Sequence, residues 1–162
     1  MRAWKDRAPE VAHLHNPAFC AEVCRRVAFV YADRTDGKPL PAPLLFLALP
    51  ILLHAETREA FSHLTRQKMH AWLQERPELR VGFARRVRQF APHTLEGLSF
   101  LVCTGSARFD GEGLSLTGPR PASITGRDDV VADVFRKASA VGRWLAAAGS
   151  PEAAYTTWGV QP

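Results

Sequence analysis

From Leu44 to His54 the chain reads LLFLALPILLH, apolar at every position before the closing histidine. This run has neither the one-sided stripe of a surface helix nor the alternation of a half-buried strand. It therefore predicts a central helix buried all round, bent or re-started at Pro50. Counted from Pro39 to Leu53, the apolar stretch also holds Pro41 and Pro43 and stays short of the roughly 20 residues that a bilayer crossing needs. It reads as core, and a helix of that kind needs amphipathic neighbours to wrap it.

Those neighbours lie on both sides. Asn16 followed by Pro17 is an N-cap and first-turn signature, and Phe19, Val23, Val27 and Val30 then share one helical face, predicting a helix from Pro17 to about Tyr31. Asp33 to Pro43 (DRTDGKPLPAP) is turn chemistry. After the central run, Thr57 to Ser62 predicts one short helical turn, and Thr65 is expected to cap RQKMHAWLQE, where Met69, Trp72 and Leu73 fall together. Pro77 should end that helix and open the next, Glu78 to Phe90, with Leu79, Phe83, Val87 and Phe90 as its stripe. Pro92 is expected to break the chain again. Thr94 would then cap a further helix that buries Leu95, Leu98, Leu101 and Val102.

Around Asp110-Gly111-Glu112-Gly113 the period changes, because Ala107 and Phe109, then Leu114 and Leu116, alternate with polar residues, which predicts a short hairpin. Gly118 to Gly126 is loop. Asp128 and Asp129 open a long helix with Val130, Val134, Phe135, Ala138, Val141 and Leu145 on one face, ended by Gly149, and Ser150-Pro151-Glu152 starts a last one. The fold class is mainly α with one short β-hairpin. Residues 1–15 form an N-terminal extension and 16–162 a single domain, within which 65–117 (helices, then a two-stranded wing) is a candidate winged-helix unit. The other reading of that order is a helical bundle decorated by a surface hairpin. At 162 residues, 46% apolar and 23% charged, the chain is long and apolar enough to bury a core.

Charge is concentrated. Between Thr65 and Phe90, Arg66, Lys68, Arg76, Arg80, Arg85, Arg86 and Arg88 stand against Glu75 and Glu78; seven basic less two acidic residues gives +5, the net charge of the whole chain. Such a stretch is a footprint for nucleic acid or for an acidic protein surface, and the candidates are Arg66, Lys68, Arg80, Arg85, Arg86 and Arg88. The plain alternative is a solvated helix face.

Catalytic patterns are missing. GxxxxGK[ST], HExxH and GxSxG do not occur. His13, His15, His54, His63, His70 and His93 are scattered without an i, i+4 pair, so no metal and no other cofactor is expected. Cys20 and Cys24 read as small buried thiols, and Cys103 with His93 has no distinctive nucleophile spacing. The first fifteen residues (MRAWKDRAPEVAHLH) resemble no export signal, and a cytoplasmic location follows as an expectation. Trp158 in the terminal WGVQP has few local neighbours and is expected to dock a partner.

Together, NPAF at Asn16 to Phe19, PLLFLALPILLH, TREAF, WLQERPELRVGFARRV and RKASAVGRWLAAAG with the terminal WGV resemble the middle component of bacterial three-component ABC systems, over Asn16 to Pro162. In such systems an SMC-like ABC ATPase is encoded beside a small middle protein and an effector. The resemblance implies a non-enzymatic adaptor in anti-phage defence, Lamassu-like, that joins the ATPase to an effector such as a nuclease, with DNA as a further contact. The alternative is a stand-alone winged-helix regulator that binds DNA through the basic helices and wing. A small enzyme with a site assembled from scattered His, Cys and Asp residues is the third reading.

Overall fold

The computed structural model describes residues 16–111, 113–125 and 129–161. It is mainly helical with one two-stranded antiparallel sheet. Helix α1 (Pro17–Arg34) starts as the sequence predicts, with Pro17 in its first turn and the Asn16 side chain accepting a hydrogen bond from Ala18 N at 2.9 Å. Helix α2 (Ala42–Leu53) is the LLFLALPILLH run. It packs against α1 and against helices α5 (Phe83–Cys103), α6 (Val130–Ala147) and α7 (Pro151–Thr157), which is why no side of it is polar. Pro50 lies inside α2, and the helix does not restart there.

The long helices α5 and α6 both pack on α1, and each does so across a glycine. A Cβ on Gly97 of α5 would sit 3.0 Å from Ala21 N, and one on Gly142 of α6 would sit 2.8 Å from both Val27 O and Val30 Cβ. Cys20 and Cys24, on the buried face of α1, are both thiols. Burial pushes the Cys24 thiol far above its ordinary pKa and Cys20 beside it adds to the rise, so Cys24 stays protonated and unreactive.

Between α2 and α5 lie two short helices, α3 (Ala55–Glu59) and α4 (Met69–Gln74), and a 3₁₀ turn at Pro77–Arg80. Thr65 does not cap α4, which begins after Lys68; its hydroxyl instead accepts from Ser62 N at 3.2 Å inside the preceding loop. A larger departure is α5. It opens after Gly82, whose φ of 69° places the chain break there, and then runs unbroken through Pro92. Pro92 removes only the amide that would reach the Arg88 carbonyl, and it does so on the exposed side. The buried stripe of Phe83, Val87, Thr94, Leu98 and Leu101 continues across it, with Thr94 Oγ1 donating to Phe90 O at 3.2 Å. Tertiary burial outweighs the local break.

The hairpin forms as read: β1 (Ala107–Phe109) pairs with β2 (Leu114–Leu116), Arg108 facing Ser115. Asp110 holds the turn by accepting from Ser115 Oγ at 2.6 Å and Gly113 N at 3.3 Å, while Glu112 lies outside the described residues. The outer edge of β2 is bridged by Leu40, whose N–H and carbonyl pair with Leu114 at 3.1 and 2.8 Å. Residues 65–117 thus share their core with α1 and α2, since α5 packs on both. Asp129 caps α6 by accepting from Ala132 N at 2.8 Å, and Ser150 caps α7 through Ala153 N at 3.2 Å. Asp128 falls outside the described residues.

His54 caps α3 with its Nδ1, which accepts from Thr57 N at 3.3 Å. Burial lowers its pKa, and the cations of Arg86 and Arg58 lower it further against a smaller opposing pull from Glu56. The fold therefore favours neutral imidazole, so stability should be fully present above the unfolded value of about 6.5 and decline as pH falls below it. Chemical denaturation at several pH values should show that decline reduced in His54→Asn, which retains a capping oxygen. His54→Ala should cost about 1 kcal/mol at neutral pH through loss of the cap. Identical pH profiles for wild type and His54→Asn would contradict this.

Candidate partner interface and basic surfaces

Helix α5 carries a second apolar stripe. Leu95, Leu98 and Val102, spaced three and four apart, share one face beyond Pro92. Leu98 is buried, but Leu95 and Val102, expected to be core, are 54% and 43% exposed. Ala42 and Phe46 of α2 and Phe109 of β1, itself 46% exposed, complete a groove of about 400 Å³. No charged residue lines it; its polar members are Ser99 and the exposed Cys103. Apolar residues gathered into one uncharged depression are what a partner surface covers.

The basic stretch comes apart in the structure. Arg80 ends the 3₁₀ turn, and Arg85 and Arg88 point outward from the first turns of α5, all exposed. Arg86 turns back instead: its guanidinium donates to Leu79 O at 2.6 Å and Val81 O at 2.9 Å and lies 5.4 Å over the Phe83 ring. It ties the 3₁₀ turn to α5, so its charge serves the fold. Arg66 and Lys68 are exposed on the loop before α4, where they share a concavity with Arg34 and Arg143 and with none of the α5 arginines.

Trp158 docks, but onto its own chain. It is 1% exposed, its ring stacked on Phe83 at 4.0 Å and its indole N–H directed at Met69 Sδ at 3.2 Å. Phe61, Trp72 and Trp144 extend the aromatic cluster, with centroids 4.8 Å apart for Trp72–Trp144 and Phe61–Trp144. The cluster glues α4, α5, α6 and the C-terminus together. Trp158 is therefore an internal anchor, and the expectation of a partner contact there is corrected.

Among the described residues, no group of three or more His, Cys, Asp or Glu side chains is placed to hold a metal ion. Among those residues, too, no helix is long and apolar enough to cross a membrane. The histidines are dispersed: His54 caps α3, the His63 carbonyl serves Arg143, and His93 Nδ1 is 3.8 Å from Glu96 on α5, while His13 and His15 lie outside the described residues.

Residues 4–162 match the family described as ABC-three component (ABC-3C) system Middle Component 3. The chain belongs to that middle-component family. No curated protein and no solved structure matches it. As a component of a multi-part ABC system, this middle component works with partner components. Its uncharged groove and its outward arginines are candidate surfaces for such partners. Sequence reading missed the groove because Leu95 and Val102 follow ordinary helical spacing, which cannot say whether a neighbouring element covers them.

Proposed function

We propose that this middle component is a non-catalytic adaptor that bridges an SMC-like ABC ATPase to an effector such as a nuclease, in a cytoplasmic, Lamassu-like anti-phage defence complex. Family membership supports the assembly, and the α2–α5–β1 groove supports the bridging. Protein-binding surfaces concentrate exposed apolar side chains in this way, and a scattered exposed leucine would carry no such weight. Arg80, Arg85 and Arg88 add a basic surface suited to an acidic patch on a partner, which would speed encounter more than it strengthens binding.

The test is co-purification of the components expressed together. Leu95→Glu with Val102→Glu places carboxylates in the groove and should weaken retention of one partner by at least roughly tenfold, since an unpaired charge at a covered surface is costly. Both positions are substantially exposed, so thermal unfolding of the isolated protein should change little. Full retention of both partners by this variant would sink the groove as an interface. A protein that ignores the ATPase and effector altogether, yet regulates a promoter by itself, would favour the stand-alone regulator.

A further inference from the structure

Four cations from three separate parts of the chain meet at one concavity of about 550 Å³: Arg34 from the last turn of α1, Arg66 and Lys68 from the loop ahead of α4, and Arg143 from α6. No Asp or Glu lines it. Asp33 and Glu75 do not discharge it. Asp33 stands 3.8 Å from Arg34 Nε with both side chains more than half exposed, and Glu75 is engaged by Gln67 at 2.7 Å and Arg76 at 3.2 Å.

Arg143 sets the geometry. Its guanidinium donates to His63 O at 2.6 Å and Thr65 O at 3.4 Å, which fixes the loop that carries Arg66 and Lys68. Burial lowers the Arg143 pKa, and Arg34 lowers it further, as expected of two like charges held together without an anion between them. Arg34, Arg66 and Lys68 are exposed, so the fold gains little from their charge. A negative ligand would relieve the repulsion.

We propose that this concavity binds the phosphodiester backbone of nucleic acid, with Arg34, Arg66 and Lys68 as its phosphate contacts. Four cations in one depression call for dense negative charge. Duplex DNA supplies one charge per about 1.7 Å of axis, whereas an extended acidic peptide offers at most one per about 3.3 Å. Trp144, at the floor of the site, offers no open ring face for stacking a base: it is 3% exposed and its indole N–H donates to Gln67 O at 2.8 Å. The contacts of Arg34, Arg66 and Lys68 are to phosphates, which carry no sequence information directly. The assignment does not rest on the groove, with which the concavity shares no residue.

The experiment is fluorescence anisotropy of the full chain with a short labelled duplex of random sequence, over a salt series. Wild type should lose affinity linearly in log salt. The triple variant Arg34→Gln, Arg66→Gln, Lys68→Gln should bind at least roughly tenfold more weakly at low salt, with a slope shallower by about 2.7, or 0.9 for each lost contact. Arg80→Gln, Arg85→Gln, Arg88→Gln should retain the wild-type slope, and both variants should unfold at the wild-type temperature. An unchanged slope and affinity in the first variant would overturn the proposal. So would displacement of the duplex by ATP at matched phosphate concentration, which would make a free nucleotide the ligand, or unchanged duplex binding together with loss of a partner protein, which would make it an acidic protein.

Discussion

Replacing Asp133 by Asn is expected to destabilise the fold by about 2 to 3 kcal/mol. Its Oδ2 lies 3.0 Å from Lys137 Nζ and 3.4 Å from Arg58 Nε, and it is the principal anion for both. Those cations are buried, their side chains 11% and 8% exposed, whereas Asp133 is 31% exposed and Glu59, the other acid near Arg58, is 72% exposed. Loss of the carboxylate charge would leave two desolvated cations facing each other. Lys137→Met should be milder, about 1 kcal/mol, because it gives up the Nζ hydrogen bonds to Arg58 O and Asp133 Oδ2 but removes a buried cation with them, leaves the Asp133–Arg58 pair intact and keeps an apolar chain beside Phe61. Urea denaturation of both variants gives the comparison. A Lys137→Met variant that costs more than Asp133→Asn would show that the lysine is valued for its own contacts and not as half of an ion pair.

The second large effect is expected at the α1–α6 contact. Gly142→Val should cost about 3 kcal/mol, since its first carbon alone would press on Val27 O and Val30 Cβ at 2.8 Å, and neither a helix carbonyl nor a β-branched neighbour yields easily. Gly142→Ala should cost about half as much, because alanine regains about 1 kcal/mol of helix propensity over glycine. Gly97→Ala meets its neighbours at 3.0 to 3.1 Å and should be the mildest of the three. Thermal unfolding ranks them. A neutral Gly142→Val would mean that α1 and α6 slide apart at little cost and that the glycine does not fix their spacing.

Both predictions rest on features that the sequence did not announce. Asp133 and Lys137 are an ordinary i, i+4 pair, and only the approach of Arg58 from α3 sets two buried cations on one partly exposed carboxylate. Gly142 sits inside a helical pattern, where a glycine is merely tolerated until a second helix is seen crossing it. Helix existence was legible, because Phe19 to Val30 and Val130 to Leu145 keep the 3.6-residue period and Asn16, Asp129 and Ser150 are strong caps. The hairpin was legible from its change of period at Ala107. The break expected at Pro92 and the cap expected at Thr65 failed for one reason. Each weighs a local backbone preference, and the buried stripe of α5 and the packing of Met69, Trp72 and Leu73 outweigh it.

For the candidate surfaces the division is sharper. The sequence by itself determined the central apolar helix, the family and the basic surplus of Thr65 to Phe90, since these depend on which residues are present and in what order. Tertiary structure alone decided which of them face outward. It turned Trp158 inward onto Phe83, tied Arg86 to the Leu79 and Val81 carbonyls, left Leu95 and Val102 uncovered, and brought Arg34 and Arg143 to Arg66 and Lys68. Burial and charge convergence depend on which distant segments meet, and one-dimensional spacing carries no information about that meeting.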